Sequence, residues 1–184
     1  MKVLGISGSL RKHSHNTALL RAAQRLAPEG MQLELYDELE LIPPYNEDRD
    51  GDAAPVAATR LRELVAGADA VLFATPEYNG STPGQLKNAL DWLSRPRGEA
   101  AIFGKTAAVI GATTGAYGGV WAQADLRKSL GIAGARLVQA ELALGHAGDH
   151  LYEDGEIADG ETYERLAQVL ADLVETAEPL ALAA

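Results

Sequence analysis

The chain has no cysteine among its 184 residues, which excludes disulfides, thiol nucleophiles, iron–sulfur ligation and zinc–thiolate sites. A reducing compartment agrees with that absence. Cations are also scarce: 16 Lys and Arg stand against 26 Asp and Glu, a formal charge of −10. No nucleic-acid partner is expected, because phosphate contacts need a basic face that releases counterions. No apolar run approaches the length of a membrane span, and Met1-Lys2 leads straight into an apolar segment with no room for a leader. These absences predict a cytoplasmic protein with no membrane attachment.

The length suits a single domain over residues 1–184, large enough to bury roughly 70% of the unfolded surface. Its organising stretch is Ile6 to Thr17, where an apolar run breaks into glycine, hydroxyls and cations before a helical pattern begins. Lys2 to Ile6 reads as a buried strand, and Leu19, Ala22, Ala23 and Leu26 form the stripe of the following helix. A loop at that place offers free N–H groups and the positive end of a helix dipole to an anion. Ser9, Ser14, Asn16 and Thr17 add short polar groups, and Arg11 adds a planar cation suited to phosphate. An ordinary Ser/Asn helix cap is the other reading of the same residues.

Further along, Gln32 to Asp37 alternates like an edge strand. Asn46 to Asp52 reads as a mobile surface loop whose aspartates are solvated and lack the register of a calcium site. Leu61, Leu64, Val65 and Ala68 stripe a second helix, and Ala70 to Thr75 is a continuous apolar strand. A turn from Pro76 to Gly84 comes next, with a third helix through Leu86, Ala89, Leu90 and Leu93. Thr106 to Thr113 is the next strand and opens into a glycine-rich loop ending at Gly119, before a helix over Val120 to Leu130. Arg136 to Ala140 is a fifth strand, Gly145 to Glu156 a loop, and Tyr163 through Ala177 a closing helix.

Strands alternating with amphipathic helices imply a parallel sheet covered on both faces. The fold expected is α/β, a flavodoxin-like three-layer sandwich with five parallel strands in the order 2-1-3-4-5. In that order a ligand lies outside the carboxyl ends of strands one and three. The cradle and the Pro76 turn would meet there, flanked by the Thr113 loop.

Several familiar motifs fail. A dinucleotide fingerprint beginning at Gly5 needs glycine at Ser7 and Leu10, and Gly104-Lys105-Thr106 precedes a strand instead of opening a helix. A hydrolase elbow around Ser7 has Ser9 where its last glycine belongs. His146 and His150 lack metal-ligand spacing and read as loop histidines, so no metal site is assigned. Trp92 reads as packing. Tyr78, with Tyr117 and Trp121 nearby, reads as part of a site for a flat ligand such as flavin mononucleotide, FMN.

Two motifs carry a family resemblance. Gly8-Ser9-Leu10-Arg11-Lys12-x-Ser14-x-Asn16, and Pro76 to Ser81 continuing through Pro83-Gly84, Leu86-Lys87-Asn88 and Asp91-Trp92, resemble the NADPH-dependent FMN reductase family. Thr113-x-Gly115, Gly118-Gly119, Gln123 and Leu126-Arg127 resemble its flavin-edge loop. The family includes flavin, quinone, azo-dye and chromate reductases.

The resemblance implies that Ser9, Arg11, Ser14, Asn16 and Thr17 hold the FMN phosphate. Pro76, Glu77, Tyr78 and Asn79 would line the isoalloxazine, with Thr113 and Gly115 approaching from the other loop. Thr113 stands where relatives usually carry serine, and His13 and His15 depart from the usual residues of the cradle. NADPH or NADH would give a hydride to FMN and a small acceptor would collect the electrons, by a ping-pong mechanism that requires no catalytic side chain. A homodimer or homotetramer is implied as well. The alternative is a non-enzymatic electron carrier, for which the charge of −10 is suited.

Overall fold

The computed structural model describes residues 1–96 and 98–177. Six segments of the chain form one parallel sheet because they are short, largely apolar and bounded by turn residues. The strands β1 (Lys2–Ser7), β2 (Gln32–Tyr36), β3 (Ala70–Ala74), β4 (Thr106–Ala112) and β5 (Arg136–Leu137) lie in the order β2-β1-β3-β4-β5. The expected order is therefore the observed one.

The fifth strand differs from its expected span. It is two short pieces, β5 and β6 (Leu142–Leu144), both parallel to β4: Thr106 and Ala107 pair with Arg136 and Leu137, and Ile110 to Ala112 with Leu142 to Leu144. The Arg127 guanidinium lies at the break, donating to the Val138 carbonyl at 2.9 Å and pairing with Glu141 at 3.1 Å. A side chain thus replaces the strand ladder over part of this edge.

Connecting helices cover both faces. On one face α1 (His15–Leu26) and α6 (Gly160–Ala177) pack Leu19, Ala23, Leu166 and Leu170 against Leu72 and Ile110. On the other, α2 (Val56–Gly67), α3 (Gly84–Leu93) and α4 (Val120–Ile132) pack Leu61, Leu90 and Leu126 against Val71, Phe73 and Val109. Alternate residues of β3 thus serve opposite cores, as strand periodicity requires. A short helix α5 (Ala147–His150) occupies part of the segment expected to be loop, with His150 Nδ1 2.8 Å from Asp159.

Trp92 is fully buried, with Nε1 donating to the Pro43 carbonyl at 2.9 Å. It anchors the segment before α2, where the expectation of solvated aspartates fails at Asp50. This carboxylate pairs with Arg62 at 2.8 Å and accepts from the Tyr45 hydroxyl at 3.2 Å, while Tyr45 meets the edge of Trp92. Burial opposes its ionisation, but the Gly51 N–H and Arg62 outweigh that and hold the carboxyl below its ordinary value. Single 3-10 turns at Leu39–Leu41, Glu47–Arg49 and Gly51–Ala53 build the rest of this segment.

Candidate functional site

At the carboxyl end of β1 the chain turns at Gly8, whose N–H donates to the Ala74 carbonyl at 2.8 Å. A Cβ there would lie 2.7 Å from Leu86 Cδ2 and 3.3 Å from Pro76 Cδ, so the close approach of this turn to α3 favours glycine. Local hydrogen bonds shape the loop between Gly8 and α1. Ser7 Oγ accepts from the Ser9 N–H at 3.3 Å and from the Thr17 hydroxyl at 3.0 Å, and Arg11 Nη2 donates to the His13 carbonyl at 2.8 Å. Ser14 is the N-cap of α1, its Oγ accepting from the Thr17 N–H at 3.3 Å. Among the described residues, the His15 and Asn16 N–H groups have no acceptor. Capping thus satisfies one donor and leaves its neighbours pointing out of the helix end, an arrangement that can take an anion.

Asn16 is buried and does something else with its side chain. Nδ2 donates to the Ala112 carbonyl at 2.9 Å and Oδ1 accepts from the Ala112 N–H at 3.0 Å. The amide thereby continues the edge of β4 and fixes the first turn of α1 to the end of that strand.

The Pro76 turn begins where Thr75 donates its N–H to the Ile110 carbonyl at 2.9 Å. Tyr78 and Ser81 exchange backbone hydrogen bonds across Asn79 and Gly80, whose φ values are 53° and 72°. Two successive positive φ angles between paired strand ends make a type I′ turn, and Asn-Gly is the dipeptide that adopts it most readily. Glu77 Oε2 accepts from the Trp121 and Ala122 N–H groups at 3.1 Å each. The N-cap of α4 is Gly119, which has no side chain to offer, so Glu77 supplies the missing acceptor from another loop.

The Thr113 loop is braced against the segment after β6. Thr113 donates its N–H to Leu144 and its hydroxyl to the Gly115 carbonyl at 3.2 Å, while Ala147 and His146 donate N–H groups to the Thr113 and Gly115 carbonyls. A Cβ on Gly118 would collide with the Ala143 backbone, and one on Gly145 with the Ala116 carbonyl. These glycines therefore let two backbone segments interlock.

Ser9, Arg11, Ser14, Asn16, Pro76, Glu77, Tyr78 and Thr113 line one crevice at the carboxyl ends of β1, β3 and β4. Thr17, Asn79 and Gly115 stand outside its wall. Sequence reasoning missed His15, Ala112 and Thr114, which also line it. Ala112 ends a buried strand at the switch point, and His15 opens α1, so position along the elements was the signal available for both. Beside the crevice Tyr78, Tyr117 and Trp121 are 49%, 66% and 53% exposed, and the last two meet edge to face at 5.1 Å. Large exposed aromatic rings next to a polar crevice offer stacking surface for a flat molecule.

A family model described as NADPH-dependent FMN reductase matches residues 1–149. The chain is 45% identical to an NAD(P)H-dependent FMN reductase of Pseudomonas aeruginosa, over 94% of this chain and 93% of that one. It is 42% identical to a quinone reductase of Pseudomonas putida, over 84% and 83% respectively. Among solved structures it resembles a flavoenzyme NAD(P)H:(acceptor) oxidoreductase of Paracoccus denitrificans, with a TM-score of 0.87 and 37% identity, covering 96% of this chain and 97% of that one.

Proposed function

The chain belongs to the NADPH-dependent FMN reductase family, and from that premise we propose that it oxidises NAD(P)H and reduces a small acceptor of the quinone class through FMN held in the crevice. Bound FMN supplies a relay that takes a hydride from one substrate and returns two electrons to the next. The residues present fit that group. The unpaired N–H groups of His15 and Asn16, the Ser14 cap and the exposed Arg11 form a donor set for a phosphate dianion. This donor set at the helix end is the observation that carries the reading.

The roles of the other residues depend on where they are tied. Asn16 holds the cradle in register with β4, so the phosphate site and the Thr113 loop share one frame. Pro76, Glu77 and Tyr78 line the crevice where the ring would lie, Asn79 shapes the turn just beyond its wall, and Glu77 keeps its carboxylate on α4. Thr113 forms the opposing edge, with its hydroxyl turned onto the Gly115 carbonyl beyond the wall. Ser9 and Thr17 organise the cradle through Ser7. No side chain need act as acid or base, so the chain binds, orients and leaves one face open to two substrates in turn, a ping-pong order. The exposed Tyr117 and Trp121 give apolar surface for a second copy in a dimer or tetramer, and the setting proposed is the cytoplasm.

An electron carrier that cannot itself oxidise NAD(P)H is the competing reading, favoured by the charge of −10. Steady NAD(P)H consumption by the purified protein with a small quinone and no protein partner supports the reductase. Turnover only after a basic redox protein is added supports the carrier. Parallel double-reciprocal plots at several quinone concentrations test the ping-pong order, and intersecting plots contradict it.

A further inference from the structure

The first turns of α4 hold both loops that face the proposed ring site. Its Trp121 and Ala122 N–H groups take the Glu77 carboxylate. One residue on, Gln123 Nε2 donates to the Gly118 carbonyl at 3.0 Å, fixing the end of the glycine-rich loop. Two residues further, a single oxygen of Asp125, Oδ2, accepts from the Ser81 hydroxyl at 2.6 Å and from the Thr82 N–H at 3.1 Å. The Thr82 hydroxyl adds a bond to the Ala122 carbonyl at 3.2 Å. The helix itself is seated in the core through Leu126 and Leu130, both fully buried, so it is a fixed reference for whatever it grips.

These attachments bracket the Tyr78–Ser81 turn. Glu77 fastens the residue before it, and Asp125 fastens its last residue and the next. A type I′ turn held only at one stem can swing about that stem, whereas one held at both cannot. The Ser81 hydroxyl and the Thr82 N–H keep the Asp125 carboxyl below its ordinary value, so the acceptor is the charged form, whose hydrogen bonds are the stronger kind.

We infer that Asp125 is a positioning residue for the flavin ring: by gripping Ser81 and Thr82 it sets the distance between the Pro76 turn and the Thr113 loop. The inference rests on the functional reading above. Asp125 lies outside the crevice; it acts through Tyr78 and the backbone beside it. Its effect is confined to the ring end, because the hydrogen bonds that tie the phosphate cradle run to β1, β3 and β4 and not to α4.

The test compares three ligands on the full-length apoprotein: FMN, riboflavin and inorganic phosphate, the last read by competition with FMN. Asp125→Ala should weaken FMN and riboflavin by the same factor, about tenfold for one lost charge-assisted bond, and leave phosphate unchanged. Asp125→Asn keeps an acceptor oxygen and should recover most of that loss. Ser81→Ala removes the 2.6 Å bond from an exposed site and should show the same selectivity at a smaller size, even if Asp125→Ala folds poorly. Unchanged flavin binding in Asp125→Ala and Ser81→Ala alike, or in Ser81→Ala alone where Asp125→Ala does not fold, or equal weakening of phosphate and flavin, overturns the inference while a flavin-binding wild type leaves the functional reading intact. A wild type that takes up neither flavin overturns the functional reading, and this inference with it.

Discussion

Asn16 and Ala112 share two hydrogen bonds across 96 residues of sequence, Nδ2 to the carbonyl at 2.9 Å and the N–H to Oδ1 at 3.0 Å. The side chain occupies the place of a neighbouring strand at the end of β4. Asn16→Ala would leave a buried N–H and carbonyl without partners, at a cost of about 2–4 kcal/mol. Urea unfolding should show that loss, and the variant should also bind FMN more weakly because the cradle loses its register. A change within about 0.5 kcal/mol, the size of an ordinary surface substitution, would contradict this role.

Arg11 is exposed at the mouth of the cradle and contacts no carboxylate among the described residues. Its free charge is expected to serve the phosphate alone. Arg11→Ala should raise the FMN dissociation constant about tenfold and leave that of riboflavin unchanged. Equal weakening of both would place Arg11 at the ring instead.

Tyr36 presents the opposite case, a buried hydroxyl with no hydrogen-bond partner among the described residues. Burial, helped by the Glu38 charge, pushes its pKa up to about 12. The unfolded chain ionises near pH 10 while the folded one does not, so stability falls as pH rises from there toward 12. Tyr36→Phe should stabilise the protein by about 1 kcal/mol at neutral pH and flatten that alkaline decline. Thermal unfolding of both proteins between neutral and alkaline pH checks it.

Asp50 contributes on the acid side. Its folded pKa is depressed, so its contribution is complete above the unfolded value of about 3.9 and is lost as pH falls below that through the folded value. The stability gap between wild type and Asp50→Asn should therefore be widest at neutral pH and narrow as the pH falls below about 3.9. A gap independent of pH would mean that the Arg62 pair contributes nothing through charge.

The residues that carried the fold in the sequence were the apolar runs of β1, β3 and β4, because burial on both faces leaves an uninterrupted pattern. The weakly apolar Arg136 to Ala140 gave no such pattern, and there the single expected strand is two pieces bridged by Arg127. At the site, Gly8, Ser14 and Asn79-Gly80 were legible because their jobs are local: a tight turn, a cap and a type I′ turn. Asn16, Glu77 and Asp50 were legible as polar residues but not in their tasks. Their partners are Ala112, the start of α4 and Arg62, distant in the chain for the first two, and only folding reveals them.

In the proposed function this crevice holds FMN and the protein itself passes electrons from NAD(P)H to a small acceptor. A visible absorption spectrum of the purified, desalted protein, taken anaerobically before and after NADPH and again after benzoquinone, tests it most directly. Flavin bands that bleach with NADPH and return with the quinone are the expected result. Flavin bands that NADPH leaves untouched, or a colourless protein that takes up no added FMN, would contradict it.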